Sequence, residues 1–206
     1  MYVAVAGNIG AGKSTLTRLL SERFHLSPVY EAVDENPYLE DFYGEMRRYA
    51  FHSQVFFLAR RLEQHLGQVN PGNRVIQDRT IYEDAAIFAR ALAEEGVLSA
   101  RDHAVYRRLY EALERTLRAP DLLLYLRSSV PTLQRRIRQR GRSFEQGISA
   151  SYLGRLNALY ESWIGAYERS RVLVVPTDAH DLHDPAERER LFALLAAHGL
   201  SEPVLS

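Results

Sequence analysis

Residues 7 to 15 read GNIGAGKST and contain Lys13, the only lysine in the chain; every other strongly basic residue is an arginine. Gly7, Gly10, Gly12, Lys13 and Ser14 follow GxxxxGKS spacing, directly after an apolar run and directly before a segment of helical period. Glycines placed this way let successive backbone N–H groups turn inward on an anion, and the following helix adds its positive end. Gly7, Asn8, Ile9, Gly10, Ala11, Gly12, Lys13, Ser14 and Thr15 therefore form the candidate phosphate cradle. A lysine ammonium is a compact charge on a flexible stem that reaches between β- and γ-phosphates, whereas arginine presents a wider planar fork.

A phosphate cradle serves hydrolysis, switching or transfer equally. A guanine-nucleotide switch needs an NKxD-type base reader, and a chain whose single lysine sits in the loop cannot supply one. DFYG at 41 to 44 fits a DxxG switch pattern but follows no credible strand end, so we read it as coincidence. Two acids point toward transfer. Glu31 is expected at the end of a short second strand and Asp78 at the end of the third, and strand ends in an open parallel sheet face the loop. One carboxylate can activate an acceptor hydroxyl while the other helps to hold Mg²⁺; strand-end acids also serve as plain helix caps.

The elements that must position these residues read as alternating strands and helices. Apolar runs at 2–6, 73–77, 121–126 and 171–175, with a short one at 28–31, have the character of buried parallel strands. Helical period appears at 13–24, 47–67, 81–95, 99–118, 130–140, 149–169 and 186–198. The alternation predicts an α/β sheet with crossover connections, and the turns NPGN and RAPD read as joints within one domain, 1–206. Gln54 and Arg61 fall two turns apart on one helix face with Phe57 between them, and Asp84 and Phe88 share a face of the next helix. Two such walls suit a flat heteroaromatic ligand, because an amide both donates and accepts; ordinary packing or a surface salt bridge is the alternative for each of these residues.

With 206 residues and 46% hydrophobic content the chain can bury one sizeable core. It has no cysteine, which removes disulfide frameworks, thiol nucleophiles and cysteine-ligated metals, and fits a reducing cytosol. Zero formal net charge and a pI near 7.1 argue against a nucleic-acid partner. MYVAVAG is too short for a signal-peptide core and no run approaches a membrane span, so we expect a soluble cytoplasmic protein with no membrane partner.

The ordered set GNIGAGKST, YEAVDENPYLEDFY, FHSQVFFLARR, QDRTIYEDAAIF and RIRQRGRSFEQ resembles the deoxyribonucleoside kinases, in particular their bacterial deoxyadenosine/deoxycytidine branch, from residue 3 to about 165. The resemblance implies the P-loop NTPase three-layer fold: a five-stranded parallel sheet, helices on both faces and an arginine-rich lid at about 135–148. It implies transfer of the γ-phosphoryl group of ATP, with Mg²⁺, to the 5′-hydroxyl of a deoxynucleoside, usually by a homodimer. Glu31 then takes the general-base position and Arg79 the arginine that holds that base and the 5′-oxygen. Asp78 and Ser14 organise Mg²⁺; Tyr43 and Glu145 grip the sugar 3′-hydroxyl; Gln54, Arg61 and Asp84 read the base edge and Phe88 stacks on it. Arg136, Arg140 and Arg142 take phosphate-facing lid positions, while Arg135 and Arg138 are left as surface.

The chain departs from the family in three places. Asp78 is shorter than the frequent glutamate, which favours magnesium contact through water; EAV replaces EPV; and Ser53 replaces an aromatic beside Gln54, giving a roomier base pocket. The Arg61 and Asp84 pair is what the resemblance associates with deoxyadenosine, deoxycytidine or deoxyguanosine. A nucleoside-monophosphate kinase would need to place a phosphate beside Glu31 and Glu145, which would repel it. A nucleotide-binding regulator without turnover is the remaining alternative, disfavoured by the intact Lys13, Glu31 and Arg79 set.

Overall fold

Among the described residues of the computed structural model (1–31, 35–178 and 184–200), five strands form one sheet. They are β1 (Tyr2–Gly7), β2 (Ser27–Val29), β3 (Val75–Asp78), β4 (Leu122–Arg127) and β5 (Arg171–Pro176). Every pairing is parallel, in the order β2-β3-β1-β4-β5. The central strand shows why the runs are apolar throughout. Val3 and Val5 enter one core with Leu16, Leu20, Ile137 and Phe192, while Tyr2, Ala4 and Ala6 enter another with Ile87, Leu156 and Tyr160. Alternate side chains thus meet helices on opposite faces, the three-layer arrangement expected.

The helices are α1 (Lys13–Phe24), α2 (Leu39–Gly44), α3 (Met46–Gln64), α4 (Ile81–Glu83), α5 (Arg90–Glu94), α6 (Ala100–Glu114), α7 (Val130–Arg140), α8 (Ala150–Gly165) and α9 (Pro185–Ala197). Local sequence starts several of them. Ser99 and Ser149 accept from the backbone N–H groups of Asp102 and Tyr152, and Thr80 with Glu83 forms a reciprocal cap on α4. Between α4 and α5 the chain is wound as a π-helix over Asp84–Ala89, a form that often marks functional sites.

Three expectations are corrected. The strand expected at 28–31 stops at Val29, because the Tyr30 carbonyl accepts from Gln64 Nε2 at 2.9 Å and leaves the ladder. The helices expected to reach 118 and 169 end at Glu114 and Gly165. An unexpected helix, α2, follows the turn in which the Asn36 side-chain oxygen accepts from Tyr38 N–H at 3.0 Å; its Leu39 and Phe42 are buried. DFYG lies on this helix and not at a strand end, in line with its reading as coincidence.

Candidate active site

A cavity of about 830 Å³ is lined by residues that follow the C-terminal ends of β1, β2, β3 and β5. On the β1 side Ile9 to Thr15 face it. Gly10 and Gly12 hold φ of +82° and +99°, which turns the loop over the start of α1. Gly7 and Asn8, expected in the phosphate cradle, lie behind this lining. They anchor it: Asn8 Nδ2 donates to the Leu153 carbonyl at 2.9 Å and to Asn157 Oδ1 at 2.8 Å, tying the loop to α8.

Lys13 donates to the Asn8 carbonyl at 3.1 Å, inside its own loop. Burial, with Arg79 nearby, lowers its ammonium to about 8 against the pull of Asp78 and Glu31. A bound polyphosphate is the anion that such a half-deprived cation favours. Ser14 Oγ donates to Asp78 Oδ2, and Asp78 is buried behind it, outside the cavity wall. Its other oxygen, Oδ1, is buried without a hydrogen-bond partner, and burial pushes its carboxyl up against the lowering effect of Lys13. An unsatisfied carboxylate oxygen beside a serine hydroxyl suits a hard cation such as Mg²⁺. No cluster of three or more metal-binding side chains exists among the described residues, so phosphates and water would complete the shell.

Glu31 stands across from the loop. It lies 2.9 Å from Arg61 Nη2 and 3.2 Å from Arg79 Nε. Burial alone would raise its carboxyl, but Arg79, Arg61 and Lys13 outweigh it and bring it down to about 2. Glu31 is therefore held as an acceptor-only carboxylate. Arg79 has φ of +65°, unusual for a non-glycine residue; its N–H donates to the Val5 carbonyl at 3.0 Å. Its guanidinium sits 4.2 Å from the centroid of the Phe88 ring. Phe88 lines the cavity as expected but already carries Arg79 on its π-system, so it orients the arginine as well as offering an apolar wall.

The residues expected to read the base come together in the same cavity. Gln54, Phe57, Arg61 and Asp84 all line it, and Gln54 Oε1 is buried without a partner. Arg61 pairs with Asp84 as well as with Glu31, joining the polar wall to the acceptor carboxylate. Burial pushes the Asp84 carboxyl up to about 6, with Arg61 opposing. Beside Gln54, Ser53 accepts from the Asn36 amide at 3.0 Å.

The segment expected to form a lid lines the other side. Tyr43 and Glu145 both line the cavity, and burial followed by the Glu145 charge raises the Tyr43 phenol to about 12. Phe144 stacks on Tyr43 with centroids 5.8 Å apart. Arg140 pairs with Glu145, and Arg142 lies 3.6 Å from it. Arg136 lies on α7 and is pinned, donating to the Ala11 carbonyl at 3.1 Å and to the Thr177 carbonyl at 2.9 Å, so in this state it braces the phosphate loop. Arg135, expected on the surface, lines the cavity with Thr177 and Asp178.

Several residues at or behind the cavity wall were missed. Thr177 and Asp178 follow β5 and carry no motif, and Tyr152 lies in a segment legible only as helix. Glu83 is buried beneath the loop; its signal, TxxE at 80 to 83, was legible as a capping box.

Known proteins resemble this chain in sequence and in fold. The chain is 40% identical over 182 residues to a deoxyadenosine/deoxycytidine kinase of Bacillus subtilis, covering 87% of this chain and 84% of that protein. It is 36% identical over 204 residues to a deoxyguanosine kinase of the same species, covering 96% and 95%. A solved structure of deoxyadenosine kinase from M. mycoides with bound dCTP superposes with a TM-score of 0.83 at 30% identity, covering 96% of this chain and 100% of that one. The model of the deoxynucleoside kinase family matches residues 3–197, and the chain belongs to that family.

Proposed function

We propose that this protein, acting as a single domain, transfers the γ-phosphoryl group of ATP to the 5′-hydroxyl of a deoxynucleoside, with deoxyadenosine or deoxycytidine preferred. The observation that carries this reading is Glu31, clamped between Arg61 and Arg79 in the same cavity as the loop of Lys13. A carboxylate brought down to about 2 stays ionised at neutral pH and accepts the hydrogen bond of an incoming hydroxyl. It is a weak base toward the free hydroxyl. In a loose phosphoryl-transfer transition state the proton leaves late, when the bond to phosphorus has made the hydroxyl far more acidic, so a weak base that holds the 5′-oxygen in line can still take its proton.

Arg79 steadies Glu31 and the attacking oxygen, and Lys13 exchanges the Asn8 carbonyl for the β- and γ-phosphates. Arg140 and Arg142 supply lid charge to the transferring oxygens when donor phosphates compete with Glu145 for them. Tyr43 and Glu145 take the sugar 3′-hydroxyl; Gln54, Arg61 and Asp84 take the base edge. Ser14 and Asp78 would hold Mg²⁺, which would supply positive charge to the phosphates. A deoxyguanosine preference is the second reading, favoured by the 36% identity to the Bacillus subtilis deoxyguanosine kinase.

We also propose a homodimer in the cytoplasm, without nucleic-acid or membrane partners. Of the 15 residues of α6 only Tyr106 is buried, and Val105 and Leu109 stand exposed one turn apart, a face a second copy would cover. No helix among the described residues is long and apolar enough to cross a membrane. A phosphorylation assay over the four deoxynucleosides and their monophosphates tests the reading. Turnover confined to deoxynucleosides supports it; turnover of a monophosphate, or none, contradicts it. Sedimentation equilibrium tests the dimer, with a monomer as the contradicting result.

A further inference from the structure

Behind the cavity wall lies a carboxylate to which the transfer chemistry gives no task. Glu83 is fully buried. Its Oε2 accepts from Thr80 N–H at 2.8 Å and from the Thr80 hydroxyl at 3.1 Å. Its Oε1 accepts from Gly7 N–H at 3.2 Å, and the Tyr160 hydroxyl lies 2.8 Å from Oε1 and 2.9 Å from the Gly7 carbonyl. The Thr80 half is an ordinary capping box, for which one oxygen suffices. The other oxygen leaves its own helix and crosses to Gly7, the last residue of β1 and the first of the phosphate loop.

Between the two anchor points sits the turn that carries the acceptor-side charges. Arg79 holds its left-handed backbone between Asp78 and Thr80, a conformation that a non-glycine residue keeps only where its surroundings enforce it. The Val5 carbonyl holds Arg79 N–H on one side, and Glu83 holds Thr80 N–H on the other. We propose that Glu83 is a positioning residue that clamps the Asp78–Arg79–Thr80 turn to Gly7, fixing Arg79 and Asp78 relative to Lys13 and Ser14. It acts through those residues and touches no substrate. The inference rests on the proposed transfer reaction.

Glu83→Gln keeps shape and replaces one oxygen by NH₂. Whichever way the amide turns, that NH₂ faces a backbone N–H, of Gly7 or of Thr80, which cannot reverse its role. Steady-state kinetics at a temperature where the variant is folded by circular dichroism, with amide hydrogen exchange at Gly7 and Thr80, provide the test. In Glu83→Gln, kcat is expected to fall on the order of 10²-fold, the scale of an ångström-sized misplacement. Both KM values should stay within about 3-fold, the split expected of a transition-state effect, and one of the two amides should exchange faster. Tyr160→Phe should lower kcat less, and should add little on top of Glu83→Gln because both act on one clamp.

A folded Glu83→Gln with wild-type kcat, or with a loss confined to KM, overturns the inference. If Glu83→Gln does not fold, Tyr160→Phe decides: lowered kcat at unchanged KM supports the clamp, and unchanged kcat overturns it. An inactive wild type would contradict the proposed reaction instead. Amide exchange would then still decide, with unchanged protection at both Gly7 and Thr80 in folded Glu83→Gln overturning the clamp.

Discussion

Glu31→Gln separates the two tasks assigned to that carboxylate. The amide keeps its size and one acceptor oxygen, so a deoxynucleoside should bind with a Kd within about 3-fold of wild type. It cannot take the 5′-proton, and turnover should fall by about 10²- to 10⁴-fold, the range for loss of a positioned general base, equivalent to roughly 3 to 5 kcal/mol of barrier. Stability should change too. Arg61 keeps Asp84, but Arg79 loses the only ion-pair partner described for it, leaving a buried cation against the Phe88 ring. The carboxyl is lowered from 4.5 to about 2 with its side chain 14% exposed, so the charged form is favoured by about 3 kcal/mol. The sign is that of a depressed acid. Its stabilisation is complete above pH 4.5 and is lost as pH falls toward 2, so at pH 7 the variant forfeits all of it. For a chain of this length that is a Tm drop of about 6 to 12 °C. Single-turnover quench at saturating ATP, calorimetric titration of the nucleoside and a thermal melt measure the three quantities. A folded variant that turns over within about 3-fold of wild type would refute the role of Glu31.

Neutralising the polar wall, as Arg61→Gln with Asp84→Asn, should change the ratio of kcat/KM between deoxynucleosides by at least about 10-fold while ATP KM moves little; a variant that lost only ATP binding would contradict the pocket assignment. Gly10→Ala should raise ATP KM by at least about 10-fold, because φ is +82° and the new Cβ would lie 3.0 Å from the Leu133 carbonyl oxygen and Ile137 Cγ1. Gly67→Ala, with open space around it, is the control, and equal effects at both sites would contradict the loop argument. His65 is buried with Nε2 3.1 Å from the Arg118 carbonyl and Nδ1 unpartnered, and burial lowers its imidazole to about 4. The unfolded chain binds the proton between pH 6.5 and 4 and the folded one does not, so stability falls as pH drops through that window. Urea denaturation at pH 7 and pH 5 should show His65→Asn losing about 2 kcal/mol less than wild type; identical losses would contradict it.

The sheet was legible because β1, β4 and β5 are built on short apolar runs, mostly buried or half-buried, whose length, β-branched or aromatic content and flanking turns mark them as strands. β2 was legible only in part, since an edge strand has one neighbour and its end was decided by Gln64, a residue distant in sequence. Helix α2 was hidden because its six residues span too few turns to show a period. The family resemblance, carried by motifs in order, brought Lys13, Glu31, Arg61 and Asp84 to one site, and all four line one cavity. It could not tell a wall from its support: Asn8 and Asp78 lie behind the lining, and Arg136 lines the cavity while held by the Ala11 and Thr177 carbonyls. Those distinctions depend on which side chain reaches which backbone across elements, and Glu83, read locally, is only a helix cap.

The central claim is that one cavity joins an ATP γ-phosphate to a deoxynucleoside 5′-oxygen. ³¹P NMR of a reaction with ATP, Mg²⁺ and deoxyadenosine or deoxycytidine tests it directly. The account predicts the 5′-monophosphate and ADP in equal amounts, with no free phosphate. ADP with inorganic phosphate and no nucleotide product, or phosphate on the 3′-oxygen, would contradict it.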